Sequence, residues 1–148
     1  MDKMTKEAII KRIKERGLKL TPQRLAIIEV LLEKRDLHPG ARLVYGEARK
    51  KKRSLSLSTT YATLNELSSL GIIKTLQFDK MENRFEGNLE EHVNLICKRC
   101  KKILDYKVPI TVDRRGVAKK TGFSITDTRL EYYGYCRDCR AKNKRGRG

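Results

Sequence analysis

The sequence predicts an α+β protein with an N-terminal winged helix-turn-helix domain and a small C-terminal α/β domain that carries four cysteines. Three observations predict this class. Apolar residues recur at helical spacing up to residue 70 and are followed by a hairpin signal. The pattern then changes to short strands beyond residue 90, and two Cys-x-x-Cys pairs lie in the second half. We expect domains at 1–86 and 87–140 and a disordered basic tail at 141–148.

Two helices are predicted first. Residues 5–16 form a helix that Gly17 closes as a C-cap, and its apolar face comprises Ile9, Ile10 and Ile13. Thr21 is an N-cap and Pro22 occupies the first helical position of the next helix. The apolar stripe of that helix comprises Leu25, Ile28, Leu31 and Leu32.

Two more helices and a hairpin follow. Residues 41–52 predict a helix whose last turn is basic, as the helix dipole favours. Ser58 is expected to cap a fourth helix that ends at Gly71 and buries Leu64, Leu67 and Leu70. Strand-like residues 72–78 and 84–86 bracket a polar turn at 79–83. Helices followed by a hairpin predict a winged helix, although a helical bundle unrelated to DNA would share the leucine spacing.

Beyond residue 90 the sequence predicts a sheet-forming domain. Strands are expected at 93–97, 103–108 and 124–132, with a helix at 111–121 between the last two. An open edge of such a sheet is able to pair with a second copy of the chain. We expect the basic segment 141–148 to be disordered.

The net charge is +17, and both halves contribute: residues 1–86 carry +8 and residues 87–148 carry +9. Such a field attracts polyanions, and nucleic acid is the usual partner, although a solvated basic surface is the alternative. With no Trp and three Phe, the chain is poorly supplied for stacking on single strands. It shows neither an apolar stretch long enough to cross a membrane nor an export signal, so we expect a cytoplasmic protein.

The cysteines form the strongest motif. Cys97-x-x-Cys100 and Cys136-x-x-Cys139 supply four thiolates, the set that tetrahedral zinc prefers in closed structural sites. Disulfides are rare in a reducing cytosol. Redox-active Cys-x-x-Cys pairs are the alternative, but two copies flanked by Lys and Arg favour structural Zn²⁺.

Several motifs together resemble the ferric uptake regulator family over roughly residues 15–140, with the pattern of its peroxide-responsive repressor branch. They are Leu20-Thr21-Pro22-Gln23-Arg24, Ser58-Thr59-Thr60-Tyr61 with Leu64, His92-x-Asn94-x-x-Cys97-x-x-Cys100, and Arg129-Leu130-Glu131-x-Tyr133-Gly134-x-Cys136-x-x-Cys139. The resemblance implies a homodimeric, metal-sensing repressor that binds double-stranded operator DNA, with the C-terminal domain as the dimerisation domain.

The resemblance also implies the DNA-contacting residues. Lys19 matches a lysine that reaches into the minor groove, and Tyr61 matches a tyrosine that packs on thymine methyl groups, unless Tyr61 is a core aromatic. Ala62 departs from the Arg or Asn of many relatives, so base reading is expected to differ. The implied DNA-binding set is Lys19, Ser58, Thr59, Thr60, Tyr61, Ala62 and Asn65.

The family's regulatory metal site corresponds to His38, Glu86, His92, Asn94 and Asp105, and the chain's only two histidines are both in this set. Nitrogen and oxygen ligands without thiolate suit Fe(II) or Mn(II). Asn94 replaces the family's usual histidine, which shifts metal selectivity away from zinc and nickel or, alternatively, leaves a degenerate site.

The ligand residues match two branches of the family, the peroxide sensors and the iron sensors. Asp105 is typical of peroxide sensors, in which Fe(II) and peroxide oxidise a histidine ligand, whereas Glu86 is more typical of iron sensors. A further metal site of some relatives is expected to be absent, because Glu91 and Thr128 stand at its histidine positions.

The sequence also bears on two other classes of function. A zinc-stabilised basic RNA- or ribosome-associated protein is the main alternative to a repressor, since it would share the small size and the high charge. We do not expect an enzyme, because the cysteine site is closed and no acid–base pair is evident.

Overall fold

The computed structural model describes residues 5–78, 81–87, 92–107, 113–126 and 128–146. The chain forms two compact units, Met1–Glu90 and Glu91–Gly148. Each unit has its own sheet, with two strands in the first and three in the second.

Four α-helices build the first unit, namely α1 (Lys6–Glu15), α2 (Pro22–Glu33), α3 (Ala41–Lys51) and α4 (Leu57–Ser69), with a 3-10 turn at Arg35–Leu37. Thr21 caps α2 as predicted, because its side chain accepts a hydrogen bond from the backbone N–H of Arg24. Gly17 follows α1 with a φ of 74°, the left-handed conformation of a helix C-cap.

These helices enclose one apolar core. The predicted face of α1 is confirmed at Ile9 and Ile13. In α2, Ile28 and Leu31 of the predicted stripe are buried together with Ile27 and Val30, whereas Leu25 and Leu32 are half-buried. The helix α2 is therefore buried on more than one side, which a single stripe does not describe. The largest fully buried side chains of this core are Ile9, Ile13, Ile27, Ile28, Leu31, Leu64, Leu67, Ile72 and Phe85.

The wing is an antiparallel hairpin of β1 (Lys74–Leu76) and β2 (Arg84–Glu86). Strand β2 also contacts the segment that leads into α3. Gly40 and Arg84 form an isolated antiparallel bridge, and the Phe85 N–H donates to the Pro39 carbonyl at 3.0 Å. The hairpin is thus joined by backbone hydrogen bonds to the residues that precede α3.

The second unit has a three-stranded sheet of β3 (Val93–Cys97), β4 (Ile103–Tyr106) and β5 (Glu131–Gly134) in the order β4-β3-β5. Strand β4 pairs antiparallel with β3, and β5 pairs parallel with it. Two helices complete the unit, α5 (Arg114–Thr121) and α6 (Arg137–Gly146).

Three predicted boundaries were wrong. Ser56, rather than Ser58, caps α4, since the Ser56 hydroxyl accepts from the Thr59 N–H. The predicted strand 124–132 overlaps β5 only at its end, because pairing with β3 begins at Glu131. The tail expected at 141–148 is helical to Gly146, since α6 starts at the second cysteine pair and continues through residues with good helix propensity.

Parts of other predictions lie outside the described residues. These are positions 79 and 80 of the predicted turn, Val108 at the end of a predicted strand, Thr111 and Val112 at the start of a predicted helix, Asp127 within the last predicted strand, positions 147 and 148 of the predicted tail, and Glu91. Within the described residues, no helix is both long enough and apolar enough to cross a membrane.

Candidate DNA-binding and metal sites

Helix α4 exposes a polar face of four predicted DNA-binding residues. Ser58, Tyr61, Ala62 and Asn65 are all exposed, and their spacing of three, four and seven positions places them on one side of the helix. Tyr61 is 40% exposed, so the alternative that it is a core aromatic is wrong. This face combines a hydroxyl, a phenol, a methyl and an amide, which are groups that contact base edges in a major groove.

Thr59 and Thr60, two of the predicted DNA-binding residues, form hydrogen bonds with Ser56 at the start of α4. Thr60 is fully buried, and its hydroxyl donates to the Ser56 carbonyl at 2.9 Å, so Thr60 does not belong to the DNA-facing set. Thr59 is half-buried, and its hydroxyl accepts from the Ser56 hydroxyl at 2.9 Å. Both residues therefore stabilise the first turn of α4, which follows from the cap lying at Ser56.

Lys19 lies exposed in the segment between α1 and α2. Arg24 fixes this segment to α4, because its guanidinium donates to the Lys19 carbonyl at 2.7 Å and to the Glu66 carboxylate at 2.8 Å. Arg24 thereby positions Lys19 relative to the exposed face of α4. Arg24 belongs to the Leu20–Arg24 motif, but its contact with Glu66 spans 42 residues and has no local sequence signal.

The wing borders a pocket beside the exposed face of α4. The pocket has a volume of about 320 Å³ and is lined by Ala41, Tyr61, Asn65, Met81, Glu82, Asn83 and Phe85. The Glu82 carboxylate occupies the space that a Cβ atom at Gly40 would take. Gly40 is the N-cap of α3, and α3 has no side-chain cap and no acidic residue in its first turn. Glu82 thus brings negative charge to a helix N-terminus that lacks its own.

The first unit contains one half of the predicted regulatory site. His38 Nε2 lies 3.6 Å from Glu86 Oε2, and both side chains are almost completely buried. His38 has a φ of 47°, and its carbonyl accepts a hydrogen bond from Arg84 at 3.3 Å. A non-glycine residue in this left-handed region is uncommon and is held by its surroundings. The fold therefore sets an imidazole and a carboxylate together in a buried position.

The second unit contains the other half. His92 Nε2 lies 3.4 Å from Asp105 Oδ1, and Asn94 pairs directly with Asp105 across β3 and β4. Residues two apart on a strand share a face, as do directly paired residues of neighbouring strands. His92, Asn94 and Asp105 consequently lie on one face of the sheet. The Asn94 side-chain oxygen is buried and has no hydrogen-bond partner among the described residues, which fits an oxygen meant for a ligand.

The four cysteines meet at one end of the second unit. The four Sγ atoms all lie within 4.8 Å of one another; they belong to Cys97, Cys100, Cys136 and Cys139. Cys97 is the last residue of β3 and Cys100 follows it, while Cys136 precedes α6 and Cys139 lies in its first turn, so the sheet and the helix bring the two pairs together. Four thiolates at this separation match a closed tetrahedral zinc centre.

The hydrogen bonds of this cluster favour thiolates at some positions. The Cys136 N–H donates to the Cys97 sulfur at 3.4 Å and lowers the pKa of Cys97 to about 5. A backbone N–H at Cys139 likewise lowers the pKa of Cys136. Burial raises the pKa of Cys139 to about 12, so a thiolate at this position requires a compensating cation. These are the properties of a site that binds a metal ion and releases a proton.

The family comparison agrees with this arrangement. The model of the ferric uptake regulator family matches residues 15–133. A peroxide-responsive repressor PerR of Staphylococcus epidermidis is 33% identical over 135 residues, which cover 90% of this chain and 89% of that protein. A PerR of Staphylococcus aureus is 32% identical over 137 residues, with 92% of each chain covered.

Solved structures show the same likeness. The Helicobacter pylori ferric uptake regulator, described as having three functional metal binding sites, is 28% identical and superposes with a TM-score of 0.73 over 95% of this chain and 97% of that chain. The Campylobacter jejuni peroxide stress regulator is 27% identical, with a TM-score of 0.66 over 88% and 98% of the two chains.

Proposed function

This chain belongs to the ferric uptake regulator family of metal-dependent transcription repressors, and from that premise we propose that Fe(II) or Mn(II) controls its affinity for operator DNA. The observation that carries the proposal is the placement of the only two histidines. Each unit contributes one histidine, and each imidazole lies within 3.6 Å of a carboxylate. Structural zinc at the four cysteines is a separate cofactor.

The donor atoms favour iron and manganese over zinc at the regulatory site. The proposed ligands are two imidazoles, two carboxylates and one amide, listed as His38, Glu86, His92, Asn94 and Asp105. Five nitrogen and oxygen donors suit ions that accept five or six ligands. Zinc prefers four ligands, often with sulfur, and the cysteine cluster supplies that set.

The two halves of the site suggest how metal binding affects DNA binding. His38 and Glu86 belong to the unit that carries α4, and the other three ligands belong to the unit that carries the three-stranded sheet. An ion shared by both halves would restrict the arrangement of the two units to the one that suits an operator. Metal binding and DNA binding would then strengthen each other, as linkage requires.

The DNA-facing residues of the proposal are Lys19, Ser58, Tyr61, Ala62 and Asn65, with Thr59 at the edge of the set. Members of this family are DNA-binding dimers. We propose that two copies of this chain, joined through their C-terminal domains in the cytoplasm, place two α4 helices in successive major grooves of a palindromic site. The regulators named above leave the RNA- or ribosome-associated alternative without support.

Footprinting on candidate promoter DNA tests this proposal. We expect protection with Fe(II) or Mn(II) that disappears with a chelator too weak to remove the structural zinc. The His38→Ala and His92→Ala variants should stay dimeric, keep their zinc and lose most of the metal response. Tight operator binding that ignores both added metal and chelator would contradict the proposal.

Mass spectrometry distinguishes peroxide sensing from metal sensing. If the protein senses peroxide through bound iron, treatment of the Fe(II) form with hydrogen peroxide adds oxygen to His38 or His92 and releases DNA. The Mn(II) form under the same peroxide is the control and should remain unmodified. Unmodified histidines in both forms would leave Fe or Mn availability as the signal.

A further inference from the structure

The four-cysteine end of the second unit carries a dense set of exposed cations. We call this surface the cysteine pole and define it by the exposed residues Lys98, Arg99, Lys101, Lys102, Arg137, Arg140 and Lys142. They lie in segments 97–102 and 136–142, which the cysteine cluster holds against each other. The Lys98 N–H donates to the Gly134 carbonyl at 2.8 Å, which adds a backbone connection between the two segments.

Charge compensation for zinc does not account for these cations. A zinc ion with four thiolates has a net charge of −2. Within the two segments Asp138 is the only acidic residue, so seven cations face three negative charges. A formal excess of four positive charges remains at the cysteine pole.

Local backbone preferences also do not account for them. Arg137 and Arg140 lie in the first turn of α6, where the helix dipole disfavours positive charge. Lys101 has a φ of 64°, a left-handed conformation that disfavours a lysine relative to glycine. These cations therefore stand where folding alone would favour other residues, which points to a function.

We infer that the cysteine pole is a second DNA-binding surface that contacts the phosphates of duplex DNA outside the bases read by α4. The inference rests on the proposed function in that DNA is taken as the polyanion. Segments 97–102 and 136–142 contain no large aliphatic residue for insertion into a bilayer. The exposed tyrosines next to them, Tyr132, Tyr133 and Tyr135, lie outside the set of cations that defines the pole. Contacts to duplex phosphates need only positive charge.

The test compares two triple variants of the full-length, zinc-loaded protein. The pole variant is Lys98→Gln, Arg140→Gln and Lys142→Gln, and the matched control is Arg115→Gln, Lys119→Gln and Lys120→Gln on α5. All six residues are exposed, and both variants lose the same net charge. The measurement is the salt dependence of binding to a duplex of arbitrary sequence, about 30 base pairs long. Each lost phosphate contact makes the slope of log K against log salt less negative by about 0.9.

We expect the slope of log K against log salt to become less negative by about 2 to 3 for the pole variant and to stay near the unmodified value for the α5 control. Equal changes in the two variants would overturn the inference, because net charge alone would then explain them. A loss confined to anionic vesicles or to a folded RNA hairpin, with unchanged duplex binding, would also overturn it.

Metal-dependent footprinting of the same two variants keeps the inference separate from the proposed function. If the pole variant still shows a footprint that requires Fe(II) or Mn(II), the proposed function stands whatever the salt slopes show. If the unmodified protein shows no metal dependence, the proposed function fails, and the comparison of slopes still decides the role of the cysteine pole.

Discussion

At the scale of single residues, Asn94 has the largest chemical consequence. Its buried side-chain oxygen faces the same side of the sheet as His92 and Asp105. An amide oxygen is a neutral, hard donor, and its use in place of an imidazole lowers the affinity for zinc and nickel more than the affinity for Mn(II). We therefore propose Asn94 as the ligand that sets which metal this site selects.

The Asn94→His variant should shift this preference. A third imidazole raises the affinity for zinc and nickel more than the affinity for Mn(II), and we expect the ratio of zinc to Mn(II) affinity to rise by at least about tenfold. Competition titration of the zinc-loaded dimer measures the ratio. An unchanged ratio would mean that residue 94 is not a ligand. Asn94→Ala is the control, since it removes the oxygen and should weaken every metal.

Alanine substitutions at the two glycines of α3 should have opposite effects on stability. Gly40 is the N-cap of α3, where alanine is a poorer residue, and an added Cβ would displace the Glu82 carboxylate. Gly40→Ala should lower the free energy of unfolding by about 1 kcal/mol. Gly46 lies inside α3 with open space around its Cβ position, so Gly46→Ala should raise it by about 1 kcal/mol. Urea unfolding measures both, and effects of the same sign would contradict this explanation.

At the scale of elements, the start of α4 determines which of its residues are exposed. The sequence alternates serine and leucine from position 54 to 58, so several serines are suitable caps by local preference. The structure selects Ser56, with Leu55 buried just before it. Burial of a neighbouring leucine is a tertiary contact, and for this reason the cap was placed two residues too late from the sequence.

Substitution of the two serines separates the cap from the DNA-facing surface. Ser56→Ala removes the acceptor for the Thr59 N–H and should lower the free energy of unfolding by about 1 kcal/mol. Ser58→Ala changes an exposed side chain and should alter stability by less than about 0.5 kcal/mol. Thermal melting of both variants is the measurement. A larger loss for Ser58→Ala would return the cap to the position predicted from the sequence.

At the scale of the whole molecule, the two units are stabilised differently. The first unit buries a continuous set of large aliphatic residues, whereas the described part of the second unit buries few, chiefly Val93, Ile96 and Ile103. A structural zinc ion contributes about 10 kcal/mol of apparent folding free energy. The second unit therefore depends on its cysteines in place of a large core.

The Cys136→Ser variant should lose its zinc and unfold the second unit while the first unit stays helical. Metal analysis should show less than one zinc per chain, and hydrogen exchange should show lost protection at β3 and β4. His92→Ala is the matched control in the same unit, and it should keep both zinc and protection. A cooperatively melting Cys136→Ser dimer would contradict the zinc assignment.

Features with local signals were predictable from the sequence. Thr21 with Pro22, Gly17 and the paired cysteines each have a short-range pattern with one physical meaning, and the structure places all of them as expected. Glu82 beside Gly40 and Arg24 beside Glu66 depend on chain segments about 40 residues apart. Such contacts follow from tertiary packing, which no local pattern contains.

The backbone at His38 and Pro39 is hydrogen-bonded to the hairpin. Strand β2 holds this segment through Arg84 on the His38 carbonyl, Phe85 on the Pro39 carbonyl and the bridge to Gly40. A shift of the His38 backbone would therefore be passed directly to β2, which ends in Glu86. These contacts join the position of His38 to that of the hairpin, which lies in the same unit as α4.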